Sequence, residues 1–331
     1  MKRKIGTSDV EISPVTFGAW AIGGWMWGGN DEKDSVEAIK ASIDAGITSI
    51  DTAPMYGFGL SEEIVGKAIK DYDRTKIQIL TKFGMRWDSE KGHLKMNDKD
   101  REGNDVEIKL YGGYDSIINE VDKSLQRLQT DYIDLIQMHW PDPTTPIEDS
   151  MRAMDKLLQD GKVRAIGVCN YSGNQLEEAE QTVRLHSDQI PYSMLKQDAE
   201  KDIIPYAVIN NLAVIAYSPL ERGLLTGKYT DNSGFSETDH RGGYFKQYNM
   251  EKVSTLIRRL NEFADKYQCT VAQLVLAWTI HQPGITAALA GARNAQQASE
   301  NAKAQQIKIH DADMEQINYW LNNEDFRAVS S

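Results

Sequence analysis

Short apolar runs recur along the chain and alternate with longer segments in which apolar residues return every three or four positions. The runs have strand length and carry few charges, which is typical of strands buried on both faces of a parallel sheet. They cover residues 15–20, 49–53, 77–82, 132–140, 164–170, 189–193, 214–218 and 286–291.

The longer segments have the spacing of amphipathic helices that bury one face. They cover residues 34–45, 61–69, 114–128, 147–159, 173–186, 203–210, 250–267 and 295–304. Eight strands alternating with eight helices indicate right-handed βαβ units, and a count of eight favours a closed (β/α)8 TIM barrel of the α/β class over an open doubly wound sheet.

Both ends of the chain add to this barrel. Ser8 and Asp9 separate two short extended runs, which predicts an N-terminal β-hairpin with Lys4 and Glu11 on its arms. An extra C-terminal helix is predicted over 311–322, and residues 328–331 are expected to fray. No low-complexity linker divides residues 1–331, so we expect a single domain.

Two long interruptions follow predicted strands and therefore belong to the mouth of the barrel. Residues 88–113 are rich in Lys, Asp, Glu, Asn and Gly, and we expect a loop without structure of its own, serving as a substrate lid, an oligomer contact or a disordered segment. Residues 229–249 contain His240 and Arg241 and are predicted to cover a cofactor. The pattern predicts no particular oligomeric state.

Charge and cysteine content narrow the class of protein. A formal net charge of -12 and a pI near 5.1 are unsuited to a surface for nucleic acid or an anionic membrane, so neither partner is expected. Two cysteines, Cys169 and Cys269, are too few for a disulfide framework, and no stretch is apolar and long enough to span a membrane. These features predict a cytoplasmic protein.

Several common sites can be excluded. Gly57 and Gly59 stand between a predicted strand and a helix, but Glu62 occupies the position of the third glycine of a dinucleotide fingerprint. Residues 223–228 have one residue too few for a P-loop and are followed by Tyr229 instead of Ser or Thr. The six histidines form no metal-binding pair, so we expect no metal, and no G-x-S-x-G elbow is present.

Four polar residues at predicted strand ends carry the chemistry: Asp51, Tyr56, Lys82 and His139. The carboxyl ends of barrel strands meet at one mouth, so these side chains are expected to converge. Lys82 closes an apolar strand and needs a partner, which Asp51 on the adjacent strand can provide. The ammonium is then expected to lower the pKa of the Tyr56 phenol and make it a proton donor, while a neutral His139 orients a carbonyl oxygen.

With these residues in view, the chain resembles the aldo-keto reductases, and most of all the bacterial general stress protein branch of that family. The matching stretches are Asp51-Thr52-Ala53-Pro54-Met55-Tyr56-Gly57, Thr81-Lys82, Asp131-Tyr132-Ile133-Asp134-Leu135, His139-Trp140-Pro141-Asp142-Pro143, Gly161-Lys162-Val163-Arg164-Ala165-Ile166-Gly167-Val168, Ser218-Pro219-Leu220 and Gly223-Leu224-Leu225-Thr226-Gly227-Lys228. The resemblance implies a metal-free NADP-dependent reductase of small carbonyl substrates, with Tyr56 as general acid assisted by Lys82, Asp51 and His139.

The resemblance also implies where NADPH/NADP+ binds, with NADH as the alternative. Asn170 and Gln189 match the pair that binds the nicotinamide carboxamide, and Tyr217 matches the aromatic residue on which the ring stacks. Further implied cofactor contacts are Trp20, Asp51, Ser218, Pro219, Leu220, Arg222, Gly223 and Lys228, and at the adenosine end Arg293, Gln297, Glu300 and Asn301. Gln297 stands where many relatives have a second arginine, and Cys169 replaces a usual serine, which weakens the preference for NADPH.

Aromatic residues at the mouth are candidates for the substrate pocket, since such walls around a few polar groups describe most small-molecule sites. The substrate is expected to contact Tyr56 and His139, and the aromatic candidates around it are Trp20, Trp25, Trp27, Trp87 and Trp140, supplemented by Met26 and Phe58. Trp87 and Trp140 are favoured because they directly follow predicted strands, whereas filling of the barrel is the alternative for Trp20. Trp278 and Trp320 are assigned to the core. A second hypothesis is a nicotinamide-binding, redox-sensing regulatory subunit resembling the potassium channel β subunits, whose barrel carries the same four residues.

Overall fold

The computed structural model of the protein describes residues 2–229, 234–235 and 239–328. In chain order the strands are β1 (Arg3–Lys4), β2 (Glu11–Ile12), β3 (Val15–Gly18), β4 (Ser49–Asp51), β5 (Gln78–Phe83), β6 (Met85–Arg86), β7 (His93–Lys99), β8 (Asp105–Leu110), β9 (Leu135–Met138), β10 (Ile166–Cys169), β11 (Ser187–Pro191), β12 (Ala213–Tyr217) and β13 (Ile285–Gly291).

The helices alternate with these strands over most of the chain. They are α1 (Glu32–Asp44), α2 (Leu60–Ile69), α3 (Tyr114–Leu128), α4 (Ile147–Gln159), α5 (Gly173–Glu180), α6 (Ile203–Ile209), α7 (Arg241–Tyr244), α8 (Met250–Lys266), α9 (Val271–His281), α10 (Ala295–Lys303) and α11 (Asp311–Asn322). No helix among the described residues combines the length and the apolar character that crossing a membrane requires.

Eight parallel strands close into a barrel in the order β3, β4, β5, β9, β10, β11, β12, β13, with β13 returning to β3. The predicted (β/α)8 barrel is therefore confirmed. Within the barrel Asp51 pairs with Leu80 and Lys82 pairs with Gln137 in the strand register. The carboxyl ends of β4, β5 and β9 thus lie side by side, and this brings the candidate catalytic residues to one mouth.

The predicted N-terminal hairpin is present, with Lys4 opposite Glu11. Its apolar residues Ile5, Val10 and Ile12 are fully buried against side chains that point into the barrel. Arg3 donates hydrogen bonds to the carbonyl oxygens of Ile285 and Thr286 at the start of β13. The hairpin therefore closes the amino end of the barrel, opposite the mouth, and buries apolar surface there.

Several predicted boundaries are too long, and two helices, the short α7 and the longer α9, were not predicted. Asn170 and Ser218 were placed in strands, but both have positive φ and follow the strands β10 and β12. Gln189 lies in the middle of β11 and not at its start. Helix α9 is buried on nearly all sides, so its sequence lacks the polar face from which a helix is predicted.

The interruption at 88–113 is the largest correction, because it contains an ordered antiparallel sheet. Strand β8 pairs with both β6 and β7, and this sheet directly follows β5. In the other interruption, residues 230–233 and 236–238 lie outside the described residues, and α7 forms part of the remainder. Fraying was predicted for residues 328–331; residues 329–331 also lie outside the described residues, whereas the backbone N–H of Ala328 donates a hydrogen bond to the Gln247 carbonyl oxygen.

Candidate active site

An ion pair between Lys82 and Asp51 lies at the centre of the mouth. The Lys82 Nζ atom is 2.6 Å from Asp51 Oδ1 and donates a second hydrogen bond of 2.9 Å to the carbonyl oxygen of Thr52. Both charged side chains are buried. Burial alone would lower the pKa of Lys82, but the charges of Asp51 and its neighbours outweigh that effect and hold the pKa above its usual value.

Tyr56 lies above this pair on the loop between β4 and α2. Its ring centroid is 5.0 Å from Lys82 Nζ, 5.7 Å from the His139 ring and 6.1 Å from the Trp20 ring. The loop is held by a close approach of two backbones, because a Cβ atom on Gly57 would come within 2.1 Å of the Gly23 carbonyl oxygen. Glycine is therefore required at position 57, where φ is also positive.

The pKa of Tyr56 differs from the sequence-based expectation. Burial raises this pKa from 10.0 to about 12, although the charge of Lys82 acts in the opposite direction. The expected net lowering is therefore wrong for this arrangement, since the loss of hydration outweighs the nearby ammonium. The phenol keeps its proton across the neutral range and is available as a donor.

His139 follows β9 and faces the Tyr56 ring. Its backbone N–H donates to the Phe83 carbonyl oxygen at 2.9 Å, which ties it to the strand that carries Lys82. Burial and the positive charge of Lys82 hold the pKa of His139 well below 6.5. The imidazole is therefore neutral at physiological pH, and its single N–H can donate to a carbonyl oxygen.

The residues matched to the carboxamide pair extend a hydrogen-bond network from Asp51. Gln189 donates from Nε2 to Asp51 Oδ2 at 2.8 Å and is 3.4 Å from Gln137 Oε1. Asn170 donates to the His139 carbonyl oxygen at 3.2 Å and accepts from the Tyr217 hydroxyl at 2.9 Å. Gln137 was not predicted, although its place opposite Lys82 in the barrel register directs it inward.

A cluster of buried nitrogen atoms without partners adjoins Tyr56. Within the described part of the chain, Nε1 of Trp20, Nε1 of Trp27, Nε of Arg222 and Nε2 of His240 have no hydrogen-bond partner. The ring of His240 is 5.1 Å from Trp20 and 5.0 Å from Trp27, and the Arg222 guanidinium is 5.2 Å from the Trp20 ring. Unsatisfied buried groups of this kind cost free energy unless a ligand meets them.

These groups fit an anionic dinucleotide with ribose hydroxyls. Trp20, Trp27 and Arg222 are donors, and burial lowers the pKa of His240 to about 4, so this ring is neutral. His240 Nδ1 contacts the Met26 carbonyl oxygen and must carry the proton, which leaves Nε2 as an acceptor. Trp27 was assigned to the substrate pocket and His240 only to a loop over the cofactor, and their place in this cluster is visible only once the loops meet.

The loop after β12 carries the other predicted phosphate contacts. Ser218, Arg222 and Gly223 all have positive φ, which folds this segment back towards Trp20. Glu221 is buried and accepts hydrogen bonds from Tyr244 at 2.6 Å and from other hydroxyls. The structure places the remaining members of the predicted set, Pro219, Leu220 and Lys228, along the same segment.

The predicted adenosine residues lie at and after the end of β13. Arg293 donates to the Trp27 carbonyl oxygen, so it contacts the buried cluster, and its backbone N–H donates to Gln297 Oε1 at 3.0 Å. Asn301 donates to the Gly291 carbonyl oxygen at 3.1 Å, which gives it a structural contact. Glu300 instead borders a surface depression of about 390 Å3 that is also lined by Gln273.

The aromatic candidates for the substrate pocket form a second group. Phe58 has its ring 6.0 Å from Trp25 and 5.4 Å from Trp87, both in edge-to-face arrangements. Trp140 packs on the same apolar cluster, together with Trp25 and Trp87. Trp278 is fully buried in the core, and Trp320 is half-buried there against Phe263 at 5.4 Å.

The closed (β/α)8 barrel carries a buried lysine–aspartate pair, a tyrosine and a histidine at its mouth. Comparison with known proteins identifies the family. The model of the Aldo/keto reductase family matches residues 14–321, and the chain belongs to this family. The family uses a nicotinamide cofactor, and the protein is an oxidoreductase that acts on carbonyl or alcohol groups.

Three similar proteins illustrate the range of the family. "Aldo-keto reductase YhdN" of Bacillus subtilis (strain 168) is 41% identical over 323 residues, covering 96% of this chain and 93% of that protein. "NADH-specific methylglyoxal reductase" of Escherichia coli (strain K12) is 37% identical, covering 94% and 95%. The solved structure of the glycerol dehydrogenase AKR11B4 from Gluconobacter oxydans is 38% identical with a TM-score of 0.85, covering 97% and 94%.

Proposed function

We propose that this enzyme reduces small aldehydes and ketones with NADPH and oxidises the corresponding alcohols in the reverse direction. The observation that carries the proposal is the buried Lys82–Asp51 pair beneath Tyr56, with Lys82 Nζ 5.0 Å from the Tyr56 ring centroid. A fixed ammonium beside a phenol stabilises the negative charge that develops on oxygen as the proton leaves. Tyr56 is therefore the proton donor to the carbonyl oxygen.

His139 has a different role, because it is neutral and faces the Tyr56 ring. Its N–H donates to the carbonyl oxygen and holds the substrate where Tyr56 can reach it. Asp51 keeps Lys82 charged and in place. Gln189 donates to the second oxygen of Asp51, so Gln189, Asp51 and Lys82 form one connected hydrogen-bond network.

The cofactor, when bound, supplies the hydride. Asn170 and Gln189 would hold its carboxamide, Tyr217 would stack on its ring, and Arg222 with the two tryptophans of the buried cluster would meet its phosphates. The preference for NADPH is supported by Arg293, whose guanidinium lies 5.5 Å from the Trp27 ring and can pair with a 2′-phosphate. NADH remains the alternative because a similar reductase is NADH-specific by name.

The test is NADPH consumption at a simple aldehyde by wild type and Tyr56→Phe, with NADPH binding measured in parallel by fluorescence. We expect kcat to fall by about 100-fold or more in Tyr56→Phe while the NADPH Kd stays the same. Tyr319→Phe, at an exposed position, is the matched control. Wild-type turnover in Tyr56→Phe would refute the acid role, and absent turnover with very slow NADPH release in wild type would favour a regulatory subunit.

A further inference from the structure

The sheet formed by β6, β7 and β8 stands over the substrate side of the mouth. Ile108 and Leu110 of β8 are buried against Met55 and Phe58, which flank Tyr56 in the chain. The sheet leaves the barrel directly after β5, the strand that carries Lys82. Its inner face is therefore part of the wall that a carbonyl compound meets on its way to Tyr56.

Polar contacts hold the end of this sheet at which β7 turns into β8. Trp25 Nε1 donates to Asp98 Oδ2 at 2.9 Å, and Arg101 forms hydrogen bonds of 3.0 and 3.4 Å to the two carboxylate oxygens of Glu63. The side chain of Trp25 comes from the loop after β3 and that of Glu63 from α2. The sheet therefore bridges the mouth and does not project freely into solvent.

Most cations of the sheet are neutralised by carboxylates. Arg86 pairs with Asp88, Lys99 with Asp105 and Lys109 with Glu107, to which the Arg101–Glu63 pair is added. Such pairs leave little net positive field for a ligand.

Lys95 is different, because no carboxylate of the described residues lies within ion-pair distance of it. Its ammonium is instead 4.1 Å from the centroid of the Trp140 ring, in the geometry of a cation–π contact. Trp140 directly follows His139 in the chain. The structure thus holds a positive charge without a carboxylate partner on the ring of Trp140, the chain neighbour of His139.

We infer that Lys95 selects carbonyl substrates that carry a carboxylate at the end remote from the reacting group. This inference rests on the proposed function and specifies its substrate class. The Lys95 side chain is exposed and rests on Trp140, which packs against the apolar and aromatic cluster of the mouth, so the remote anion meets one cation at the edge of that wall. The net charge of -12 otherwise repels an anionic substrate, so a local cation is needed.

The test compares 4-formylbenzoate with its methyl ester, two aldehydes of similar shape that differ in charge. We expect wild type to prefer the carboxylate by about threefold in kcat/KM, since an ion pair at an exposed lysine is weak and screened by salt. In Lys95→Met this ratio falls to about one, mainly through the KM of the carboxylate, and Lys95→Arg keeps most of it. Lys99→Met removes the same charge from the same strand and leaves the ratio unchanged.

A binding measurement separates this inference from the proposed function. Calorimetric titration of 4-formylbenzoate into protein saturated with NADP+ should give a Kd about threefold weaker in Lys95→Met than in wild type. Equal Kd values, or an equal kcat/KM ratio in the two proteins, would overturn the role of Lys95. Absent turnover of both aldehydes would refute the reductase proposal, and the titration would still decide the role of Lys95.

Discussion

Gln189 and Asp51 are 138 residues apart in sequence, yet Gln189 Nε2 donates to Asp51 Oδ2 at 2.8 Å in the interior of the barrel. The other carboxylate oxygen of Asp51 accepts a hydrogen bond from Lys82 Nζ. One carboxylate therefore joins Lys82, the cation beside the proposed proton donor Tyr56, to a residue of the proposed nicotinamide site. A change at Asp51 should affect stability and chemistry together, and a suitable double substitution can separate the two.

Asp51→Asn is expected to destabilise the protein by about 3 kcal/mol or more, because it leaves the buried Lys82 ammonium without its counter-ion. Urea unfolding followed by circular dichroism measures this loss. The double variant Asp51→Leu, Lys82→Met removes both charges and should recover most of the stability while remaining inactive. A double variant as unstable as Asp51→Asn would contradict this explanation.

The two reaction directions should respond differently to pH, because the pKa of Tyr56 is raised to about 12. Reduction needs the protonated phenol, so its kcat should stay nearly constant between about pH 7 and 9. Alcohol oxidation needs the phenolate and should rise with pH, up to about tenfold per pH unit when proton removal limits the rate. Stopped-flow measurement of the hydride step in both directions tests this, and a plateau of oxidation near neutral pH would be inconsistent with it.

Glu120 should make stability depend on pH near neutrality, because burial raises its pKa from 4.5 to about 7. It accepts from the Gly84 N–H at 3.0 Å and lies 3.4 Å from Arg86. Between about pH 4.5 and 7 the Glu120 carboxyl group is protonated in the folded state and ionised in the unfolded state. Its contribution to the free energy of unfolding therefore falls as pH rises through this range.

The Glu120 prediction is measured by urea unfolding at pH 5, 6, 7 and 8 in wild type and Glu120→Gln. The free energy of unfolding of Glu120→Gln should rise relative to that of wild type as pH increases, since glutamine cannot ionise. Glu148→Gln, at an exposed position of α4, is the control and should follow wild type. A difference between wild type and Glu120→Gln that does not change with pH would count against the raised pKa.

Arg222→Met is expected to weaken NADPH binding by about tenfold or more, since it removes a charged donor from the buried cluster around Trp20. Quenching of tryptophan fluorescence gives the Kd, and its dependence on salt should become shallower because one charge is lost. Arg258→Met removes an exposed charge on α8 and should leave both quantities unchanged. An unchanged Kd in Arg222→Met would exclude this guanidinium from the phosphate site.

The fold could be predicted because a parallel barrel imposes a simple pattern on the sequence. Fully apolar strands alternate with amphipathic helices, and the order of strands in space follows their order in the chain. The same regularity places Asp51 beside Lys82, since adjacent strands bring their ends together. Helix α9 was not predicted, because it is buried on nearly all sides and its sequence lacks the periodic polar positions that indicate a helix.

Contacts between loops could not be predicted, because no regular spacing connects them. The meeting of Trp27 with His240 joins two mouth loops more than 200 residues apart in sequence. The β7–β8 hairpin is rich in charged residues, and its polar composition resembles that of a loop although it forms a sheet. The pKa of Tyr56 depends on the balance of burial and charge, which requires coordinates.

The sheet at the mouth is inserted as one continuous stretch between β5 and α3, and neither neighbouring barrel strand is interrupted by it. Such an insertion can change in length or composition among descendants of a common ancestor while the barrel strands that carry the proposed proton-transfer groups keep their positions. Natural selection can then alter which compounds are accepted while the reaction itself is inherited intact.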